Sequence, residues 1–561
     1  MSNNKIIDIL DSAVLHSAII VVMVVLSYLN TLHVDFISVD DVSILDFLQT
    51  NEISLHSLFL GGGGDYFRPI PFLSFILDLQ LFGRDPLAFH VMNAGLHLIN
   101  ALLVYLFALQ TFKLSSLRKT AACVAALIFA LHPVNSEAVL WMAGRTDLLC
   151  CTFFLLALLV GLNAQVDTIK ATSAFFIMFL CSLLSKEASI ATVLILPVYC
   201  QLNRSIISPE RRYSLYGAMA LAAGLYLAMR NGFHRGVDSG IGRIVGISAA
   251  KPFYHFVSES FAAFGFYIKK LLFPLPLNFA IVTINTNLYV VIGIIASITL
   301  LFLFWRIVSL RLSLLITVFG LAPPLLALHG KLPWTPFAER YLYLSSIGIA
   351  LAVGICLSCC RSVRLRSLFF ALVLTYACIT ISRVVLWTDS KAFWYDILQK
   401  SPEFPRSYVG VAIELIKEAK YDEAQRLLEK SLAMGYDTDF VWSNMAVICL
   451  ARRDYAGYET AAVRAAQLSK QPTANYMALV YTITMNADKY ADKVILYRRV
   501  AGYYLKAFER DPHYIDGLYN AAKSYLYVNE NELAQKYFMQ FLATPGETMY
   551  KPFAKRLLDS M

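Results

Sequence analysis

The groups able to do chemistry are ionisable residues set in or beside apolar helices, where charge is costly and therefore informative. In TLHVDFISVDDVSILDFL, Asp40 and Asp41 are adjacent just beyond a long apolar run. One reading makes them caps of the following helix together with Ser38. The other gives one carboxylate the proton of an attacking hydroxyl, while its neighbour orients it or helps hold a metal; like-charge proximity raises one pKa toward usefulness. Arg68 follows in GGGGDYFRPIPFLSF, ahead of a proline that can open a short helix. A guanidinium is a permanent bidentate phosphate ligand, although the same side chain also serves to snorkel to lipid headgroups.

Further along, His90, Asn93, His97 and Asn100 are spaced i, i+3, i+7 and i+10, which confines them to a stripe of about 80° on one helix. Such a stripe faces a bundle interior, with His97 and Asn100 better suited to tying helices together than to ligand contact. LHPVNSEAVLWMAGRTDLL then supplies His132, Glu137, Arg145 and Asp147. These residues permit a divalent cation such as Mg or Mn, with Asp41, Glu137 and Asp147 as donors, but match no zinc spacing; internal pairing, Glu137 with Arg145 for example, serves them equally. Lys186 and Glu187 in LLSKEASI, Arg230, then Arg235, Arg243 and Lys251 in a Gly-rich loop, and Glu339, Arg340 and Tyr343 in FAERYLYLSSIG complete the set. Basic groups over a Gly-rich loop suit a lipid-linked phosphate, and basic loops also lie simply at headgroups.

These residues need a membrane to position them. The chain of 561 residues is 58% hydrophobic and 16% charged, well below the roughly 25% charge of globular proteins. Residues 1–387 hold 26 Lys/Arg and 18 Asp/Glu, against 22 and 21 in residues 388–561. The formal charge of +9 therefore sits almost wholly in the apolar part, where it marks topology and not a nucleic-acid surface. Apolar runs near 14–31, 87–110, 119–132, 148–166, 171–184, 188–203, 213–230, 287–305, 313–328, 341–360 and 368–386 predict about eleven spans, the first retained because no cleavage signal follows it. With the N-terminus inside, Lys113, Arg118, Lys119, Lys170, Arg204, Arg211, Arg212, Arg306, Arg311, Arg361, Arg364 and Arg366 all fall in inner loops. This register requires 253–280, with Glu259, Lys269 and Lys270, to be an interfacial or re-entrant helix. It places the acidic pair, the polar loops and the tail on the outer face. Nine of the ten cysteines lie in or beside apolar segments, and no disulfide framework or zinc spacing is readable.

From about 404 to 547 amphipathic helices alternate with short turns at a period of about 34 residues: Ala412, Tyr421 and Leu428 recur as Ala446, Tyr455 and Ala462, and Ala522, Ala534 and Phe538 repeat the pattern. The stretch 473–512 is longer but closes on Ala507 and Pro512. This is tetratricopeptide spacing, about four repeats, enough to stack a core and line a groove for a protein partner or acceptor. Capping or dimerising the membrane part is the alternative use.

Taken together, VDDV, YFRPIPFLSF, FHVMNAGLHLINALLVY, ALHPVNSEAVLWMAGRTDLL, LLSKEASI, AERYLYLSSIG, WTDS at 387–390 and the repeat tail resemble the transmembrane and tetratricopeptide-repeat protein O-mannosyltransferases, a branch of the GT-C glycosyltransferases. The resemblance implies an all-α protein: a GT-C-like bundle over 1–387 and a repeat domain over 388–561. It also implies inverting transfer of mannose or another hexose from a polyprenyl-phosphate donor to an acceptor hydroxyl, Ser/Thr of a protein first among candidates. Asp40, slightly ahead of Asp41, would be the base. Arg68, His90, His132, Glu137, Arg145, Asp147, Lys186, Glu187, Arg235 and Arg340 would surround the donor phosphate. The chain has fewer repeats than the animal members and no glycosylation sequon in its outer parts, which favours a bacterial inner membrane with a periplasmic tail; in a eukaryote the tail would be lumenal. Transfer to an envelope lipid or glycan, and a non-catalytic scaffold recruiting through its tail, are the competing readings.

Overall fold

Local capping explains where many of the helices begin. Asp85 accepts the Leu87 N–H ahead of Pro86–Thr111, Asp167 accepts from Ile169 and Lys170 ahead of Thr168–Ser185, and Ser362 accepts from Leu365 at the start of Val363–Thr388. A computed structural model describes residues 13–37, 39–50, 54–60, 67–112, 117–163, 165–204, 207–233, 252–329, 335–360, 362–469 and 471–561. These are overwhelmingly helical; the isolated bridge between Ile281 and Phe337 is the one extended pairing among them. The chain divides into two compact units, Met1–Ser401 and Pro402–Met561.

In the first unit, eight helices among the described residues are long and apolar enough to cross a bilayer: Ala13–His33, Pro86–Thr111, Met142–Gly161, Thr168–Ser185, Thr286–Arg306, Val308–His329, Glu339–Cys359 and Val363–Thr388. A ninth arises if Arg118–Leu131 and Pro133–Leu140, bent by 48° at His132, are one span. The expectation of about eleven exceeds this for two reasons. The run 188–203 folds as a short 3-10 turn and the helix Thr192–Leu202, and Pro209–Phe233 is a long helix whose Gly, Ser and Tyr residues dilute its apolar character. The span expected at 148–166 begins earlier, at Met142, so Arg145 and Asp147 lie on its first turn and not in a loop.

The segment expected to be interfacial or re-entrant forms the helix Phe253–Leu272, which packs against Thr286–Arg306. Gly265 and Gly293 make that approach possible: a Cβ on Gly265 would stand 2.2 Å from the Tyr289 carbonyl oxygen, so only glycine lets the backbones meet.

The second unit stacks four helix pairs: Pro405–Lys417 with Tyr421–Ala433, Asp439–Ala451 with Tyr455–Leu468, Pro472–Met485 with Lys493–Arg510, and Asp516–Tyr527 with Asn531–Ala543. Lys551–Asp559 packs on the last pair. The recurring Ala412, Leu428, Ala446, Ala462, Ala507, Ala522, Ala534 and Phe538 are all buried, the pattern of tetratricopeptide hairpins. Three of the four hairpin turns place a non-glycine residue at positive φ: Ala419 at 58°, Arg453 at 61° and Asn529 at 59°.

Candidate functional site

The site is built around the turn Met142–Gly144 and the start of the helix Arg145–Gly161. Asn93, buried on the polar stripe of Pro86–Thr111, donates its amide to the carbonyls of Val139, Trp141 and Met142 at 3.3, 3.0 and 3.4 Å. Its carbonyl accepts Arg145 Nε at 2.9 Å. Arg145 also donates to Asp78 Oδ2 at 2.5 Å, Ser74 Oγ at 3.3 Å and the Phe89 carbonyl at 3.0 Å. Its guanidinium, 0% exposed, lies 4.7 Å from the Phe75 ring centre. Fully engaged in this way, Arg145 fixes the turn.

Two candidate residues meet on that turn. Asp41 is buried and accepts the Ala143 N–H at 3.4 Å. Arg68 donates to Thr146 Oγ1 at 3.3 Å, and Thr146 donates in turn to the Ala143 carbonyl at 3.2 Å. One residue thus bridges the buried carboxylate and the cation by its two backbone groups. Both Asp40 and Asp41 lie on the first turn of Val39–Thr50, where the helix dipole also favours carboxylates; Asp40 is half-buried. Ser38, expected to share the capping, lies outside the described residues.

Around this centre lies a ring of ion pairs. Arg68 meets Glu187 at 3.2 Å, their side chains 19% and 45% exposed. Burial pushes the Glu187 carboxyl up, but Arg68 and Arg230 outweigh it and hold the group at about 2. Lys186 donates to both oxygens of Asp147 at 2.6 and 2.7 Å, its ammonium 5.5 Å from the Tyr341 ring centre. Glu137 binds Arg340 through its side chain and accepts the backbone N–H groups of Glu339 and Arg340 at 2.9 and 3.1 Å, so it also caps the start of Glu339–Cys359. Lys270 binds Glu339 at 2.6 Å.

Several candidates hold structural positions. Glu137 pairs with Arg340, and Arg145 with Asp78; the Glu137–Arg145 bridge offered by their spacing is not made, because the 3-10 turn points the two side chains to different helices. His132 donates from Nε2 to the Leu271 carbonyl at 2.9 Å and accepts the Val134 N–H at Nδ1 at 3.4 Å, holding the bend. His90 is buried with Arg145 and Asp35 as charged neighbours. His97 and Asn100 both bond to the Tyr343 hydroxyl, at 2.7 and 3.2 Å, as interhelical ties. Arg235, with Arg243 and Lys251, lies outside the described residues. Among the described residues no three His, Cys, Asp or Glu side chains come together around a cation position. The proposed donors fit a metal poorly, since Glu137 and Asp147 are each matched by a buried cation. Asp78 and Trp141, whose ring lies 4.6 Å from the Arg340 guanidinium, are members that the residue patterns did not single out, and Lys270 entered them only as a marker of topology. Asp78 had a legible signal, a carboxylate within an apolar helix.

No family model matches the chain. Curated relatives do. A stretch of 145 residues is 37% identical to protein O-mannosyl-transferase TMTC1 of Mus musculus, covering 24% of this chain and 15% of that one. Human TMTC1 matches at 37% over 146 residues (24% and 16%), and human TMTC4 at 40% over 103 residues (17% and 14%). Each of these relatives is a protein O-mannosyl-transferase, the group that the residue patterns resemble, and the aligned stretch spans only about a seventh of their length. Among solved structures, YrrB, a TPR protein with an unusual peptide-binding site, is 17% identical over 33% of this chain and 87% of its own, at a TM-score of 0.22, too distant to carry an argument.

Proposed function

We propose that this chain is a multi-pass membrane glycosyltransferase of the GT-C type that moves mannose or another hexose from a polyprenyl phosphate to a serine or threonine hydroxyl of a protein, with inversion. The observation that carries this reading is the meeting of Asp41 and Arg68 on the 143–146 turn, a carboxylate base and a phosphate cation held by one rigid element. Asp41 takes the proton of the acceptor hydroxyl as its oxygen forms a bond to the anomeric carbon; the bond from that carbon to the phosphate oxygen breaks, and polyprenyl phosphate departs with the electron pair. Arg68, with Lys186 nearby, stabilises the charge that grows on the phosphate. Burial and the Ala143 contact favour Asp41 over Asp40 as the base. No step needs a metal. The tetratricopeptide unit would bind the protein acceptor or a recruiting partner, and the outer face of a bacterial inner membrane remains the preferred location.

The test uses purified full-length protein with polyprenyl-phosphate mannose and serine/threonine peptides, read by intact mass. Asp41→Asn is expected to lower turnover at least about 100-fold and Arg68→Ala about 100-fold, with Asp40→Asn milder. Full activity in folded Asp41→Asn and Arg68→Ala proteins would remove the assignment. Mannose appearing on lipid or glycan in place of peptide would redirect the acceptor.

A further inference from the structure

The C-terminal turns of Val363–Thr388 border an open surface cavity of about 550 Å³ that is separate in its residues from the turn at 142–146. Its walls are largely aliphatic, with Leu275, Leu277, Ile379 and Leu386 prominent, and Arg383 and Lys400 stand in it as the charged groups. Beside it Phe273 and Leu275 are 70% and 52% exposed, as are Ile381 and Val385 at 37% and 49% on the helix itself. A surface of this kind faces lipid.

The polar chemistry of the cavity is one-sided. Arg383 is 4% exposed and spends one nitrogen, Nη1, on Asp396 at 3.2 Å. Its Nε and Nη2 meet no acceptor among the described residues. Lys400 shares Asp396, at 2.6 Å, and donates to the Leu277 carbonyl at 2.8 Å. Two cations against one carboxylate leave a surplus of one positive charge, and every unsatisfied group is a donor. A buried guanidinium without acceptors is costly, so the arrangement calls for a ligand that brings acceptor oxygens and one negative charge.

From this we infer that the cavity is a binding site for an anionic phospholipid of the surrounding bilayer. Its phosphodiester oxygens accept from Lys400 at the rim and, as the buried Arg383 guanidinium turns toward the cavity, from the two Arg383 nitrogens that have no acceptor, and its acyl chain lies along Leu275, Leu277 and Ile379. A sugar-carrying lipid is a poorer fit. The single hydroxyl of the lining, Ser382, donates to the Cys378 carbonyl of its own helix, which leaves no set of polar groups for a hexose. The site is thus distinct in chemistry from the proposed donor site and independent of the proposed activity.

The test is lipid retention. Full-length protein is reconstituted in nanodiscs of phosphatidylcholine with minor phosphatidylglycerol and polyprenyl phosphate, released, and read by native mass spectrometry. Wild type is expected to keep phosphatidylglycerol. Arg383→Gln removes the charge, and Leu386→Trp fills the cavity while leaving the Arg383–Asp396 pair intact; each is expected to cut that retention at least about tenfold. Because Arg383→Gln leaves Asp396 with Lys400 alone and risks the fold, Leu386→Trp and Ser382→Phe carry the test where it fails. Equal retention of phosphatidylcholine, preference for polyprenyl phosphate, or unchanged phosphatidylglycerol retention in the folded cavity-filling variants would each overturn the assignment.

Discussion

Asp78 and Arg145 show how a charge inside a bilayer protein becomes structural. Both are essentially without exposed surface and lie 2.5 Å apart, so removing one leaves the other as an uncompensated buried charge. Asp78→Leu is expected to destabilise the membrane unit by about 3–5 kcal/mol, read as loss of detergent-solubilised folded protein in thermal unfolding; the double change Asp78→Leu/Arg145→Met should recover much of the loss. Glu187 behaves differently because it is nearly half exposed. Its carboxyl loses part of its solvation, which raises it, but Arg68 and Arg230 outweigh that and hold it below the ordinary 4.5, at about 2. The pairing is therefore complete above the ordinary value and is lost only as pH falls through about 2. Glu187→Gln should lower transfer about tenfold yet leave the acid limb of the pH profile in place between pH 5 and 8. A limb that moves would make Glu187 the titrating group. Among these residues the sequence made the types and the neighbourhood legible: ionisable side chains at helix ends, converging. It did not reveal the partners, because Glu137 and Arg340 are 203 positions apart and only the turn at 142–144 decides which cation each carboxylate meets.

At the level of elements, the 142–144 turn is held from three sides, by Asn93, Arg145 and the tight approach of Gly144 to Ala138. A Cβ on Gly144 would stand 2.3 Å from the Ala138 carbonyl oxygen, so the turn must shift to accept one. Gly144→Ala is expected to move the Ala143 N–H away from Asp41 and reduce turnover at least about tenfold, with a smaller effect on the Michaelis constant; unchanged turnover would separate the turn from the chemistry. The long uninterrupted spans were legible from apolar run length alone. The break at His132 was legible as the end of the run 119–132 before Pro133, whereas the short helix Thr192–Leu202 was not, since it depends on a 3-10 turn. In the repeats, the 34-residue recurrence gave the hairpins, while the third pair escaped the pattern because its connection is widened by the Ala487–Lys489 turn. The three positive-φ turn residues carry a recurrent local strain. Ala419→Gly, Arg453→Gly and Asn529→Gly combined should raise the stability of the 402–561 unit by about 1.5 kcal/mol, measured as a higher urea midpoint; a lower midpoint would show that chain flexibility outweighs the relieved strain.

For the whole molecule, the two units divide their labour by what holds them. The repeat unit is knit by contacts between neighbours in sequence, with cores such as Ala446, Tyr458, Tyr476 and Leu496 drawn from adjacent hairpins. It can therefore assemble progressively from its first hairpin. The membrane unit is closed by pairs that join distant parts: Asp78 with Arg145, Lys270 with Glu339, and Glu137 with Arg340. That last pair sets a timetable for synthesis. With 203 residues between them, a ribosome working at roughly 5–20 residues per second exposes Glu137 about 10–40 s before Arg340 exists. During that interval the carboxylate has no native cation, so the native packing of Pro133–Leu140 is a late event, completed by the arrival of the helix at 339.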